Sequence, residues 1–269
     1  MIITVIIDNN GTAELAGEWG LCLYIEYQEK KILYDTGRTG LLLSNAAALG
    51  IDLSSVDYAV LSHAHHDHGN GIPFFLSVND HAPVYLQEPC IRKYYGGWGA
   101  ERHYIGLPVG VPENCMDRVL LVKGKKELSP GICLVPHEEE LSSVGRRNRL
   151  YVLKDGRYHV DDLSHEQSLV FDTPKGLVIF NGCCHGGADR IIREAMNAFP
   201  GRKPYAVIGG FHLFTKTEKE VRALARGIRE TGITRVITGH CTGEVAYAAL
   251  AEELGERLEA LSVGRKFVL

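Results

Sequence analysis

Ser62-His63-Ala64-His65-His66-Asp67-His68-Gly69 places four imidazoles and a carboxylate within six positions, directly after the apolar run Val56 to Leu61. If strand geometry continues past Leu61, His63 and His65 point to one side at period two, while Ala64 and His66 point away. The chain then turns toward the apolar, helix-length segment Ile72 to Val78, which brings Asp67 and His68 to the same region from the other flank. Two imidazoles on one side, with a carboxylate and an imidazole on the other, suit two adjacent divalent metals. A histidine-rich surface turn with adventitious metal affinity is the plain alternative.

Outward from this stretch, three more histidines follow one rule. Gly176 to Asn181 runs into Gly182-Cys183-Cys184-His185, Tyr205 to Ile208 into Gly209-Gly210-Phe211-His212, and Arg235 to Thr238 into Gly239-His240-Cys241-Thr242-Gly243. Each is an apolar strand, then glycine, then histidine. Strand ends that share one rim are where α/β layers usually build a site. A single such histidine reads as structural; three together with the cluster read as metal ligands.

The remaining pattern sets the fold class. Met1 to Asp8 reads as a first strand, Leu21 to Tyr27 and Ile32 to Gly37 as a hairpin, and Leu41 to Leu49 as a helix ending at Gly50. In the second half, a hairpin at Ser168 to Asn181 precedes helices at Asp189 to Phe199, Glu218 to Thr231 and Val245 to Leu254, alternating with strands. Hairpins and strand-helix units in both halves predict an α/β (α+β) chain, a four-layer αββα sandwich. Ligands from both halves imply one domain over 1–269, with a variable covering segment at about 84–162. That segment carries Tyr94-Tyr95-Gly96-Gly97-Trp98, either a platform for a planar substrate or packed aromatic surface.

Composition narrows the class of function. With 45% apolar and 23% charged residues over 269 positions, disordered, collagen-like and coiled-coil readings fail. The 29 basic and 33 acidic residues give a net charge of -4, so no bulk attraction draws nucleic acid or anionic lipid. The N-terminus lacks a basic segment before its apolar run, and no apolar stretch reaches membrane-spanning length. Seven scattered cysteines, an odd number, favour reduced thiols and a cytoplasmic setting.

The run His63-Ala64-His65-His66-Asp67-His68 resembles the HxHxDH signature of the metallo-β-lactamase superfamily. Together with Asp35-Thr36-Gly37 and the three Gly-His strand ends, the chain is similar to the subgroup of the dihydropterin–ribofuranosylaminobenzene phosphate synthase, most bacterial members of which are called metal-dependent hydrolases. The resemblance implies His63, His65 and a third histidine at metal one, and Asp67, His68 and His240 at metal two. The third histidine is His185, with His165 as the alternative. Cys183 and Cys184 stand where other members carry a bridging aspartate; Cys183 fills that place as a thiolate or is a small buried residue. Asp35 is expected to accept a hydrogen bond from a ligand imidazole.

The expected cofactors are two divalent ions, Zn2+ first, with Mn2+ or Fe2+ as alternatives. Asp67 and His212 are the expected catalytic residues: Asp67 orients a metal-activated water and takes its proton, and His212 with the Gly209-Gly210 backbone stabilises an oxyanion. The expected partner is a small, anionic substrate, with no nucleic acid or membrane and with a homo-oligomer possible. Hydrolysis of an ester or phosphoester leads, against a pterin-related transfer and a metal-dependent sensor without turnover.

Overall fold

The computed structural model describes residues 1–97, 101–108, 110–111, 117–137 and 146–269. In chain order the first half gives β1 (Ile2–Ile7), β2 (Cys22–Tyr27), β3 (Lys30–Tyr34), α1 (Leu41–Ala48), β4 (Tyr58–Val60), α2 (His66–Gly69), α3 (Ile72–Val78), β5 (Val84–Gln87), β6 (Lys93–Gly96), β7 (His103–Tyr104) and β8 (Val119–Val122). Then come β9 (Lys126–Ser129), β10 (Ile132–Pro136), β11 (Leu150–Lys154), β12 (Arg157–Val160), β13 (Gln167–Thr173), β14 (Gly176–Phe180), α4 (Ala188–Ala198) and β15 (Pro204–Gly210). The chain finishes with α5 (Glu218–Glu230), β16 (Arg235–Gly239), α6 (Glu244–Leu254), β17 (Leu258–Ala260) and β18 (Lys266–Val268). This is the mixed α/β architecture expected of the metallo-β-lactamase fold.

Two compact units divide these elements. The first holds Met1–Lys123, Glu139–Glu166 and Ser262–Leu269. Its main sheet has the order β18-β1-β2-β3-β4-β5-β8, antiparallel through β3 and parallel from there to β8. The β2–β3 connection is two residues long, with Gln28 at φ 49° and Glu29 at φ 64°, the left-handed pair that matches strand twist. Leu42 and Ala46 of α1 and Ile72 and Phe75 of α3 bury against Leu33, Leu61 and Val84. Each large aliphatic or aromatic side chain buried here contributes about 1.5–3 kcal/mol. A second, antiparallel sheet in this unit, β12-β11-β6-β7, is built by the segment whose sequence is least regular.

The second unit holds Gly124–Glu138 and Gln167–Leu261. Its sheet runs β17-β16-β15-β14-β13-β10-β9, and the four strands β14 to β17 are parallel neighbours. β14 and β15, in the middle of the sheet, are almost wholly buried and apolar on both faces, as a covered parallel sheet requires, while β17 at the edge is half-buried. α5 begins at a capping box in which the Thr217 hydroxyl accepts from the Glu220 N–H and the Glu220 carboxylate accepts from the Thr217 N–H. Val221, Ala225 and Ile228 then bury one stripe of that helix at spacings of four and three.

One local expectation is corrected. The strand before the histidine cluster ends at Val60, so His63 and His65 stand in a loop and the cluster closes into the short helix α2. After His212 a turn leads to the Thr217 cap of α5.

Candidate metal centre

In the first unit, Asp35 organises the histidine cluster. It follows β3, adopts φ 57°, and is fully buried. A non-glycine residue in the left-handed region is uncommon and aspartate tolerates it better than most. Its Oδ1 accepts from the Ser62 N–H at 2.7 Å, while its Oδ2 accepts from the Ser62 hydroxyl at 2.8 Å and faces His68 Nδ1 at 2.7 Å.

These contacts assign tautomers. An ionised carboxylate only accepts, so His68 carries its proton on Nδ1 and presents the Nε2 lone pair. The single Ser62 hydroxyl proton goes to Asp35, so Ser62 Oγ accepts from His63 Nδ1 at 2.8 Å, and His63 also presents Nε2. One carboxylate thus fixes two imidazoles as metal-ready bases, one directly and one through a hydroxyl. His68 Nε2 lies 3.8 Å from Asp67 Oδ2, beyond hydrogen-bond range and close to the spacing of two ligands on one ion. The His63 ring packs 4.6 Å from His65 and 4.3 Å from His68, centroid to centroid. Burial first, and the neighbouring His165 second, push His65 down to about 3, so it stays neutral at ordinary pH.

His165 sits among these rings in a different role. Its Nδ1 accepts from the Ala64 N–H at 3.0 Å, so its Nε2 carries the proton and faces Asp161 Oδ2 at 3.0 Å. Both nitrogens are spent within the protein. His65, Asp161 and His165 do bring three donor atoms within 4.8 Å of one another, yet the His165–Asp161 pair is a hydrogen bond that a cation would have to break. Burial opposes ionisation of Asp161, but His165 outweighs it and holds the carboxyl below its usual value. Tyr94, fully buried, packs its ring 4.1 Å from His165. Tyr95, half-buried, packs against the exposed Tyr104 and Tyr158, so this part of the aromatic stretch is packed aromatic surface; Trp98 lies outside the described residues.

In the second unit, β14, β15 and β16 deliver Cys183 and His185, His212, and His240 and Cys241 from neighbouring strand ends. Cys184, His212 and His240 all adopt φ of 47–48°, so three of these ends turn through the left-handed region. Side chains hold the turns: the Thr242 hydroxyl accepts from the Phe211 N–H at 3.0 Å and contacts Thr238 Oγ1 at 2.6 Å, and Asn181 Oδ1 accepts from the Cys184 N–H at 2.7 Å. The His185 and His212 rings lie 4.3 Å apart. The Gly210 N–H donates to Gly182 O at 2.8 Å inside the sheet, so it is not an oxyanion donor as the sequence suggested. Burial alone would raise the Cys241 thiol, but the Cys183 thiol and the His240 and His212 side chains outweigh it and hold Cys241 well below the ordinary value.

The donor chemistry of each unit therefore fits a divalent metal: neutral, oriented imidazoles with a carboxylate in the first, imidazoles with thiols in the second. Sequence reasoning missed Asp161, Ser62 and Cys241. His81, His103 and His159 take no part in these clusters, and His137 pairs with Glu194 at 2.5 Å.

Residues 20–155 match the model of the metallo-beta-lactamase superfamily. The chain is 29% identical over 260 residues to 7,8-dihydropterin-6-methyl-4-(beta-D-ribofuranosyl)-aminobenzene-5'-phosphate synthase of Methanocaldococcus jannaschii, covering 91% of this chain and 88% of that protein. A solved metal-dependent hydrolase of the beta-lactamase superfamily superposes with TM-score 0.85 at 24% identity, covering 100% of this chain and 99% of that one. Zn2+-bound PqqB from Methylobacterium extorquens superposes with TM-score 0.58 at 9% identity over 100% of both chains. Among the described residues, no helix is long and apolar enough to cross a membrane.

Proposed function

The chain belongs to the metallo-beta-lactamase superfamily, and from that premise we propose that it is a metal-dependent hydrolase of a small anionic ester or phosphoester. The observation that supports this most is the Asp35 carboxylate fixing the tautomers of His68 and, through Ser62, of His63. A structural histidine cluster has no need of two imidazoles held with Nε2 unprotonated.

In this reading His63, His65 and His185 hold one ion, and Asp67, His68 and His240 hold the other. The ions, Zn2+ by donor type with Mn2+ or Fe2+ as alternatives, supply an activated water and neutralise charge on the substrate. Asp67 orients that water and receives its proton. His212 binds the substrate oxygen that becomes negative, a role suited to its partly exposed ring beside His185. Asp35 and Asp161 remain positioning groups, since neither faces outward.

A second reading rests on the 29% identity to the pterin synthase: group transfer between a dihydropterin and a phosphorylated aminobenzene riboside. One experiment separates the two. The purified chain, loaded in turn with Zn2+, Mn2+ and Fe2+, is assayed on phosphodiesters, lactones and thioesters, and on the synthase substrates. Metal-dependent hydrolysis lost in His63→Ala supports the hydrolase. Condensation of the synthase substrates without hydrolysis replaces it with the transferase, and no metal-dependent turnover on any of them overturns both.

A further inference from the structure

Cys183 and Cys241 leave the C-terminal ends of β14 and β16, and their sulfurs lie 3.3 Å apart although 58 residues separate them. His212, at the end of the intervening strand β15, donates its backbone N–H to Cys241 Sγ at 3.2 Å. One imidazole nitrogen of His212 and both sulfurs lie within 4.8 Å of one another. His212 Nδ1 is buried and has no hydrogen-bond partner among the described residues. The backbone is shaped around the sulfur as well: a Cβ at Gly210 would come within 2.5 Å of Cys241 Sγ. Two sulfurs on a tetrahedral zinc, each about 2.3 Å from it, stand roughly 3.8 Å apart. The observed pair needs to open by about half an ångström, which a small χ1 rotation provides.

We propose that Cys183, His212 and Cys241 form a Cys2His site for a thiophilic cation of the Zn2+ class, built within the second unit alone. Three adjacent parallel strands each supply one donor, and the fourth position belongs to water or a ligand. On loading, both thiols release a proton to solvent and the two thiolates balance the dication. Neither Cys241 nor His212 is a metal ligand in the hydrolase reading; a cation held here takes the His212 imidazole that the hydrolase reading gives to the substrate oxygen, and the proposal does not rest on that reading.

The test is Co2+ titration of the metal-free full-length chain, read by thiolate-to-cobalt charge-transfer absorption in wild type, Cys183→Ser, Cys241→Ser and His63→Ala. The expected result is strong absorption in wild type and in His63→Ala, with loss of half or more of it in each cysteine variant. Absence of the band, full retention in Cys241→Ser, or loss in His63→Ala overturns the proposal. X-ray absorption on the Zn2+-loaded wild type guards against misfolded variants: sulfur at about 2.3 Å from zinc is expected, and a shell of nitrogen and oxygen alone overturns it. Either failure leaves the His63→Ala hydrolysis test untouched.

Discussion

Asp35 Oδ2 and His68 Nδ1 meet at 2.7 Å with both side chains fully excluded from solvent. A buried carboxylate is costly unless every lone pair is used, and here Ser62 supplies the other two donors. The arrangement links a residue at the end of β3 to the cluster some thirty positions later. It thereby ties the orientation of the cluster's imidazoles to a residue outside the cluster.

Asp35→Asn keeps the volume and replaces part of the acceptor surface with an amide that donates. Either His68 or Ser62 then meets a donor, and the tautomers of His68 and His63 are no longer enforced. The variant is expected to bind Zn2+ about 10–100-fold more weakly and to lose about 1–3 kcal/mol of stability. Competition with a chromophoric chelator measures the first and urea denaturation the second; unchanged zinc affinity would remove Asp35 from the metal argument.

His165 and His185 separate by the same logic. Removing His165 takes from buried Asp161 the imidazole hydrogen bond to its Oδ2 and leaves, among the described residues, only the Leu163 N–H on its Oδ1, a loss of about 1–3 kcal/mol, while metal content per folded chain is expected to be unchanged. Removing His185 leaves no such buried charge and is expected to lower metal content with little change in urea midpoint. Metal analysis of His165→Ala and His185→Ala side by side decides it, and metal loss confined to His165→Ala reverses the assignment.

Periodicity and motif carry much of this molecule. The hairpin of β2 and β3, the amphipathic helices α4 and α5, and the strands β14, β15 and β16 are readable because apolar spacing and glycine placement act over neighbouring residues. Histidine after glycine marked three strand ends that lie side by side in the second unit. What stayed hidden depends on distant partners. Nothing local singles out Asp161, which acquires its role only with His165 beside it, or Cys241, whose sulfur lies 3.3 Å from that of Cys183, 58 positions away. The strand before the cluster was overextended because Leu61 is as apolar as Val60, whereas the Asp35–Ser62 hydrogen bonds turn the chain after it. β17 and β18 are three residues each, too short for alternation to show.

Acid titration of the metal-free protein tests the burial of the cluster. His65 has a folded value of about 3 against about 6.5 in the unfolded chain, so below 6.5 the unfolded state takes a proton that the fold refuses. Its contribution is complete above 6.5 and is lost as pH falls toward 3, at up to about 1.4 kcal/mol per unit. Urea denaturation in excess chelator from pH 7 to 4 is expected to show a shallower slope in His65→Gln than in wild type. Identical slopes mean that His65 is solvated in solution.

Gly209 tests whether the donor-bearing strand ends are locked together. Its φ is 146°, and a Cβ there would lie 1.6 Å from the Asn181 carbonyl oxygen, on a residue whose N–H donates to Ile208 O at 3.0 Å. The clash is with backbone on a neighbouring strand, so no side-chain rotation relieves it. Gly232, by contrast, has φ 78° with nothing within 4 Å, so alanine there meets only backbone strain. Gly232→Ala is expected to cost about 1–2 kcal/mol. Gly209→Ala combines strain with the displacement of β14 from β15, and is expected to cost more than the ~1–3 kcal/mol typical of overpacking and to lower metal content with it. Equal urea midpoints for the two variants would show that the β14 and β15 ends separate freely, and that their close approach is no requirement of the site.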